Sequence, residues 1–121
     1  MVILETGNEI LDSAFRLALG DISGNIIDFE GGLLEGRHPV LIAGADYPQP
    51  WTRDSSINIY NGASLLYPEV MRNNLLALVE RRGGGLVLGD LPGGEGEGVY
   101  EVCQSWDAII WLLGVWHHYL Y

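Results

Sequence analysis

The stretch at residues 47–56, YPQPWTRDSS, constrains the fold of this chain most. Two prolines, a tryptophan and an adjacent arginine and aspartate stand there directly before a helical pattern. Prolines make such a segment stiff. The pattern therefore predicts a loop that presents the indole of Trp51, the guanidinium of Arg53 and the carboxylate of Asp54 together at the start of a helix.

These three groups are the ones needed to hold a polyhydroxylated ring. A sugar offers a flat C–H face to the indole and hydroxyls to the charged pair. The alternative interpretation is a proline-bounded loop in which a surface ion pair caps a helix. The residues alone leave both interpretations open.

Composition narrows the class of protein. The chain has 121 residues, 48% of them hydrophobic, which is enough for one small domain with a core. Its net charge is −10, with six arginines and no lysine, so it lacks the basic footprint of a nucleic-acid-binding protein. The same charge disfavours anionic membranes and strongly anionic substrates, whereas neutral carbohydrates are unaffected.

Helical patterns occur at about residues 9–19, 54–66, 69–82 and 106–121. Asn8 is the predicted N-cap of the first helix, and Gly20 its predicted end. Asp54 or Ser55 is the predicted start of the second helix, and Pro68 fits the first turn of the third.

Between these helices the pattern is less regular. Residues 25–29 and 39–43 fit either short strands or extended loops. Residues 83–98 predict a long glycine-rich loop, which we interpret as either a mobile lid or a surface loop.

The last pattern, residues 106–121, is apolar on almost its whole circumference and predicts a helix buried on all sides. It is shorter than the roughly 20 residues of a membrane span, which favours burial within protein. No residue stops this helix, so we interpret the chain as the N-terminal part of one larger domain. Residues 1–121 show no signal peptide, and the localisation stays open.

Trp106 and Asp107 begin the fourth predicted helix, much as Trp51 and Asp54 begin the second. If the two helices run the same way, both pairs meet at one mouth. Asp54 and Asp107 would then be either the carboxylate pair of a glycosidase or ligands for sugar hydroxyls, and we favour the second role.

Other chemistry is disfavoured by the same residues. His117 and His118 are adjacent on a helix and cannot chelate one metal ion together, so no metal site is predicted. A chain without lysine cannot form a phosphate-binding P-loop. Cys103 has no histidine nearby in sequence to activate it. No cofactor is expected.

Residues 45–55, ADYPQPWTRDS, resemble the Trp-x-Arg-Asp motif of the six-hairpin, or (α/α)6-barrel, glycosidases. The resemblance is closest to the glycogen-debranching (amylo-α-1,6-glucosidase) and glucoamylase-like families. Residues 105–111, SWDAIIW, are similar to the debranching-type segment in which an Asp-Ala pair opens an inner helix. In its order of helices the resemblance covers residues 9–121, and only the Arg53-Asp54 pair is reasonably specific.

The resemblance implies a mainly α fold, a partial (α/α)6 toroid consisting of about the first four helices. It implies that Trp51, Arg53, Asp54, Trp106 and Asp107 bind sugar in the −1 subsite. The catalytic acid and base would lie beyond residue 121, and the full protein would hydrolyse an oligo- or polysaccharide with inversion. Two alternatives are an α-mannosidase of the same superfamily and a non-catalytic helical module that docks a partner protein.

Overall fold

The computed structural model describes residues 2–82 and 85–88, together with Gly114. The helices are α1 (Glu9–Gly24), α2 (Thr52–Asn58), α3 (Ser64–Leu66) and α4 (Pro68–Ala77). The strands are β1 (Ile26–Phe29), β2 (His38–Leu41), β3 (Val79–Arg82) and β4 (Gly85–Leu88). A π-helical turn, Ile59–Ala63, joins α2 to α3, and Gly62 kinks this stretch with a φ of 114°.

Helix α1 begins at the predicted cap. The side chain of Asn8 accepts hydrogen bonds from the backbone N–H groups of Ile10 and Leu11, which confirms that prediction. The predicted end at Gly20 is wrong, because the helix continues to Gly24. A glycine inside a helix costs only about 1 kcal/mol, and the extension lets half-buried Ile22 pack against the core.

Strands β1 and β2 form an antiparallel hairpin in which Ile26 lies opposite Leu41 and Phe29 opposite His38. Of the two structures that the sequence left open here, the chain adopts strands. In the connection between them, Gly32 has a φ of 62° and lies against the backbone of α4. The N–H of Leu33 donates to the carbonyl of Leu76 at 2.8 Å, which fixes the hairpin to that helix.

The main core forms where α4 meets β2 and the π turn. Its central side chains, Ile59, Met71, Leu75 and Leu78, are almost completely buried. A second cluster contains Phe29, Val40, Ile42 and Ala77. The hairpin and α4 thus share one apolar interior, and α2 packs at its edge.

Two predicted elements, a helix and a loop, are replaced by strands after the end of α4. The helix expected at residues 69–82 ends at Ala77, and Val79–Arg82 pairs with Gly85–Leu88 as a second antiparallel hairpin. The loop expected at residues 83–98 is therefore wrong at residues 85–88. Leu78 and Val79 are both buried, and the backbone groups beyond them are satisfied by the neighbouring strand instead of by a helix.

The prediction of a mainly α fold, a partial (α/α)6 toroid, is wrong. The described residues hold two β-hairpins besides the helices. Helix α4 buries its face chiefly on strand β2, with the π turn beside it, so the core forms between a helix and a hairpin and not only between helices. The fourth predicted helix, residues 106–121, lies outside the described residues.

Candidate functional site

Residues 44–51 connect β2 to α2 through a tight turn. Gly44 and Tyr47 form an isolated antiparallel bridge, in which the N–H of Tyr47 donates to the carbonyl of Gly44 at 2.9 Å. The N–H of Gln49 donates to the carbonyl of Tyr47, and Pro50 is fully buried. The loop is thus held by its own backbone bonds and by a buried proline.

Trp51 is held beside Tyr47 at the end of this loop. The two ring centroids are 6.0 Å apart and the ring planes meet at 82°, an edge-to-face pair. Such pairs contribute about 0.5–1.5 kcal/mol beyond their buried area. Trp51 is half-buried, whereas Tyr47 is 57% exposed. The pair forms a fixed aromatic surface that is accessible mainly on the tyrosine side.

Arg53 and Asp54 lie in the first turn of α2, and both are exposed. Their neighbours Thr52, Ser55 and Ser56 are buried. The first turn therefore points its hydroxyl side chains inward and its two charged side chains outward. This arrangement brings the three groups predicted at the loop, Trp51, Arg53 and Asp54, to one end of one helix.

The predicted start of this helix is wrong by a few residues. Trp51 occupies the N-cap position and makes no capping bond with its side chain. Neither Asp54 nor Ser55 is the cap, because α2 begins at Thr52. The interpretation of Asp54 as a cap residue therefore does not hold, although an acid in the first turn still stabilises the helix through its dipole.

A buried hydrogen-bond network holds α2 in place. The side-chain amide of Asn74 donates to the Ser55 hydroxyl at 2.9 Å and to the carbonyl of Leu41 at 2.7 Å. Its carbonyl oxygen accepts the N–H of Leu41 at 2.8 Å. Asn74 is completely buried. One side chain thus joins α2, α4 and β2, and sets the position of the site relative to the core.

Asn74 and Tyr47 contact residues of the candidate site, and neither was predicted from the sequence as a site residue. An asparagine pair, Asn73-Asn74, interrupts the apolar stripe of α4 and was the one available signal. Both asparagines are buried, and a buried amide requires partners. The sequence could not name those partners, because Leu41 is 33 residues away.

The remaining predicted site residues, Trp106 and Asp107, lie outside the described residues, as do Cys103, His117 and His118. That Trp106 and Asp107 lie near Trp51 and Asp54 at the start of α2 stays a prediction. Within the part of the chain that the structure describes, no cluster of three or more His, Cys, Asp or Glu side chains is placed to hold a metal ion. None of the helices described there is long and apolar enough to span a membrane.

Comparison with known proteins adds no assignment. No protein-family model matches the chain, and no similarity to a curated protein or to a solved structure is found.

Proposed function

We propose that residues 47–54 form part of the sugar-binding pocket of a glycoside hydrolase that acts on an oligo- or polysaccharide. The observation that carries this proposal is that Trp51, Arg53 and Asp54 lie within four consecutive residues at one helix end, with Trp51 in an aromatic pair and both charged side chains exposed. We infer an inverting α-glucosidase or debranching-type enzyme, with its acid and base supplied from beyond residue 121.

Each group has a distinct role in this proposal. The aromatic surface of Trp51 and Tyr47 packs on the C–H face of a pyranose ring. Arg53 donates hydrogen bonds to ring hydroxyls, and Asp54 accepts them. Bonds of this kind, with one charged partner, contribute about 1.5–3 kcal/mol each. Trp106 and Asp107 would complete the same pocket.

Arg53 is exposed in the first turn of α2, where a ligand can reach it. Cations are unfavourable near the N-terminus of a helix, where the dipole is positive. Arg53 stands in the first turn of α2, so its charge does not stabilise the helix through the dipole. Asp54, one position later, is favourable for the helix and supplies the acceptor that a hydroxyl needs.

Rigidity supports the same role. The side chain of Asn74 donates a hydrogen bond to Ser55, and Pro50 is buried in the loop that precedes α2. A binding group that is already positioned before the ligand arrives loses less conformational entropy when it binds. The charge of the chain also leaves neutral ligands as the favoured class, because a net charge of −10 repels anions.

The test is sugar binding by the 121-residue chain, measured by isothermal titration calorimetry with glucose, mannose and maltotriose. We expect Arg53→Ala to weaken binding about tenfold or more, which corresponds to about 1.4 kcal/mol. Arg72→Ala removes an equally exposed arginine from α4 and is the matched control, with affinity unchanged. Circular dichroism of each variant checks that the fold is retained.

The outcomes separate the alternatives. Binding of glucose and maltotriose that depends on Arg53 supports the glucosidase proposal, whereas a preference for mannose supports the α-mannosidase alternative. Absence of binding to all three sugars by the folded chain, or equal loss in both arginine variants, would overturn the proposal. The isolated chain is expected to hydrolyse none of them.

A further inference from the structure

Helix α1 presents apolar side chains on two of its sides. Phe15, Leu19 and Ile22 are half-buried on one side, and Ile22 packs against the core. The apolar side chains of another side are exposed to solvent, and we call them the α1 stripe. The α1 stripe consists of Ile10, Leu11, Ala14, Leu17 and Ala18.

The α1 stripe has the spacing and the shape of a surface on which a second helix packs. Ile10, Ala14 and Leu17 follow one another at intervals of four and three residues, so they form one row along the helix. Ile10 is 79% exposed and Leu17 is 70% exposed. The alanines between these larger side chains allow the axis of a second helix to come close. A contiguous apolar surface of this kind is typical of an interaction site.

Both ends of the α1 stripe are acidic. Glu9 directly precedes Ile10 in the first turn, and Asp21 follows Leu17 by four residues, which continues the same row. Both acids are exposed. At a rise of about 1.5 Å per residue, they are about 18 Å apart along the helix axis. An apolar helix with a basic side chain near each end therefore matches this surface in both shape and charge.

We propose that the α1 stripe binds an amphipathic helix of a partner protein, and that lysine or arginine side chains at the two ends of its apolar side pair with Glu9 and Asp21. The net charge of −10 attracts a partner with this charge. None of the residues of α1 is buried, so the partner would supply the burial that this helix lacks. The surface is separate from residues 47–54, and the proposal does not rest on sugar binding.

Charge disfavours a second copy of the chain as the occupant. In an antiparallel pair of α1 helices, Glu9 of one copy would face Asp21 of the other at both ends. In a parallel pair, each acid would face its own counterpart. Both arrangements place like charges together, which is unfavourable.

Charge also disfavours a lipid surface. Helices that lie in a membrane interface are rich in lysine and arginine on their polar side. Helix α1 instead carries the acids Glu9, Asp12 and Asp21 and a single base, Arg16. A basic helix of a protein therefore remains the occupant that the charges of α1 favour.

A synthetic peptide tests this surface directly. The peptide has about 16 residues, the length of α1, with leucine and alanine on one helical side and a lysine at each end of that side. A second peptide has glutamate in place of the two lysines. Each carries a fluorescein label, and fluorescence anisotropy measures its binding to the 121-residue chain. We expect the lysine peptide to bind at least tenfold more tightly, and less tightly as salt is added.

Leu17→Asp tests the apolar contact. It should weaken binding of the lysine peptide about tenfold or more, because a buried leucine is lost from the interface. Leu65→Asp is the matched control. Leu65 is 86% exposed on α3 and receives the same charge, so this variant should bind the lysine peptide as the original chain does. Circular dichroism checks that each variant keeps its helices.

Reversal of the two acids tests the charge pairing. Glu9→Lys together with Asp21→Lys should make the chain prefer the glutamate peptide. Glu30→Lys together with Glu69→Lys makes the same change in net charge at exposed acids outside α1. This control should keep the preference for the lysine peptide.

Selective binding of the lysine peptide that follows these variants would support the proposal. Failure of the folded chain to bind that peptide, equal binding of both peptides, or equal effects of Leu17→Asp and Leu65→Asp would overturn it. Self-association in sedimentation equilibrium, or binding to phosphatidylcholine vesicles, would also overturn it if Leu17→Asp abolished that behaviour. The α1 stripe would then belong to a second copy or to a lipid surface. None of these results depends on whether the chain binds sugar.

Discussion

Helices α1 and α4 illustrate two ways in which this chain stabilises a helix. Six of the ten residues of α4 are buried, whereas none of the sixteen residues of α1 is buried. Helix α1 depends on local bonds, in which Asn8 caps the first turn and Asp12 accepts two hydrogen bonds from Thr6. Helix α4 depends on partners distant in sequence, chiefly β2.

The difference shows that local contacts fix one helix and contacts distant in sequence fix the other. The hydrogen bonds at the start of α1 span at most six residues, so this start follows from the local sequence. The contacts of α4 join it to β2, which is distant in sequence, and these same contacts position the candidate sugar site. Substitutions in α4 should therefore affect the whole domain, and substitutions at the start of α1 should affect that helix alone.

Loss of the Asn74 amide should have the largest effect. Asn74→Leu removes three hydrogen bonds and leaves the buried N–H and carbonyl of Leu41 without these partners. We expect the free energy of unfolding to fall by about 3 kcal/mol or more, measured by urea denaturation. Asn61→Leu, at an exposed amide, should change it by less than about 0.5 kcal/mol. Equal effects at the two positions would contradict this account of α4.

A methyl group at Gly32 should have an intermediate effect. A Cβ atom there would lie 2.4 Å from the carbonyl oxygen of Ala77 and 2.5 Å from that of Leu76. Gly32→Ala should therefore push the hairpin away from α4 and destabilise the protein by about 2 kcal/mol, visible as a lower urea midpoint.

Gly36→Ala provides the control for backbone strain. Gly36 also has a positive φ, 91°, but a Cβ there would meet no atom within 4 Å. This variant should incur only the conformational cost of a left-handed residue, about 1 kcal/mol. If the two alanine variants were equally stable, close contact with α4 would not be the reason for glycine at position 32.

Protonation of Asp12 should have the smallest effect, confined to α1. Hydrogen bonds from the backbone and then the side chain of Thr6 lower the pKa of Asp12 below its ordinary value. The stabilisation is therefore present above the ordinary pKa of an aspartate and is lost as the pH falls through the lowered folded-state value. The protection factors of the amides in α1 should fall over that acidic range.

Asp12→Asn should remove this pH dependence while leaving exchange in α4 unchanged. Asp21→Asn, on the same helix, should leave the acidic transition in place. A loss of protection on acidification that is equal in both helices would show that α1 does not open on its own.

Sequence reasoning succeeded where one residue and its near neighbours decide the outcome. The cap at Asn8 was predicted because an asparagine oxygen reaches the N–H groups two and three residues later. The stiff loop before Trp51 was predicted from its prolines. The charged pair at the start of α2 followed from the same stretch, although Trp51, whose indole the loop was predicted to present, is half-buried.

Sequence reasoning failed where the structure depends on contacts between residues that are distant in sequence. The spacing of apolar residues continued a helical pattern through Arg82, but pairing with β4 ends α4 at Ala77. The toroid was implied by the resemblance of residues 45–55 and 105–111 to the six-hairpin glycosidases and by the order of helical patterns, and neither shows that α4 packs on a hairpin. Tyr47 was missed because an edge-to-face contact with Trp51 depends on how the loop turns.

The sequence by itself determined the local structures of this protein. These are the capped start of α1, the proline-stiffened loop and the placement of Arg53 and Asp54 at a helix start, all of which depend on contacts between near neighbours. Only the tertiary structure decided that the side chain of Asn74 bonds both backbone groups of Leu41, as a third strand would. The same holds for the position of Gly32 against α4. Both contacts join segments that are distant in sequence. The hydrogen bonds of the buried Asn74 amide, and the close backbone approach that glycine allows at position 32, exist only once those segments are packed together.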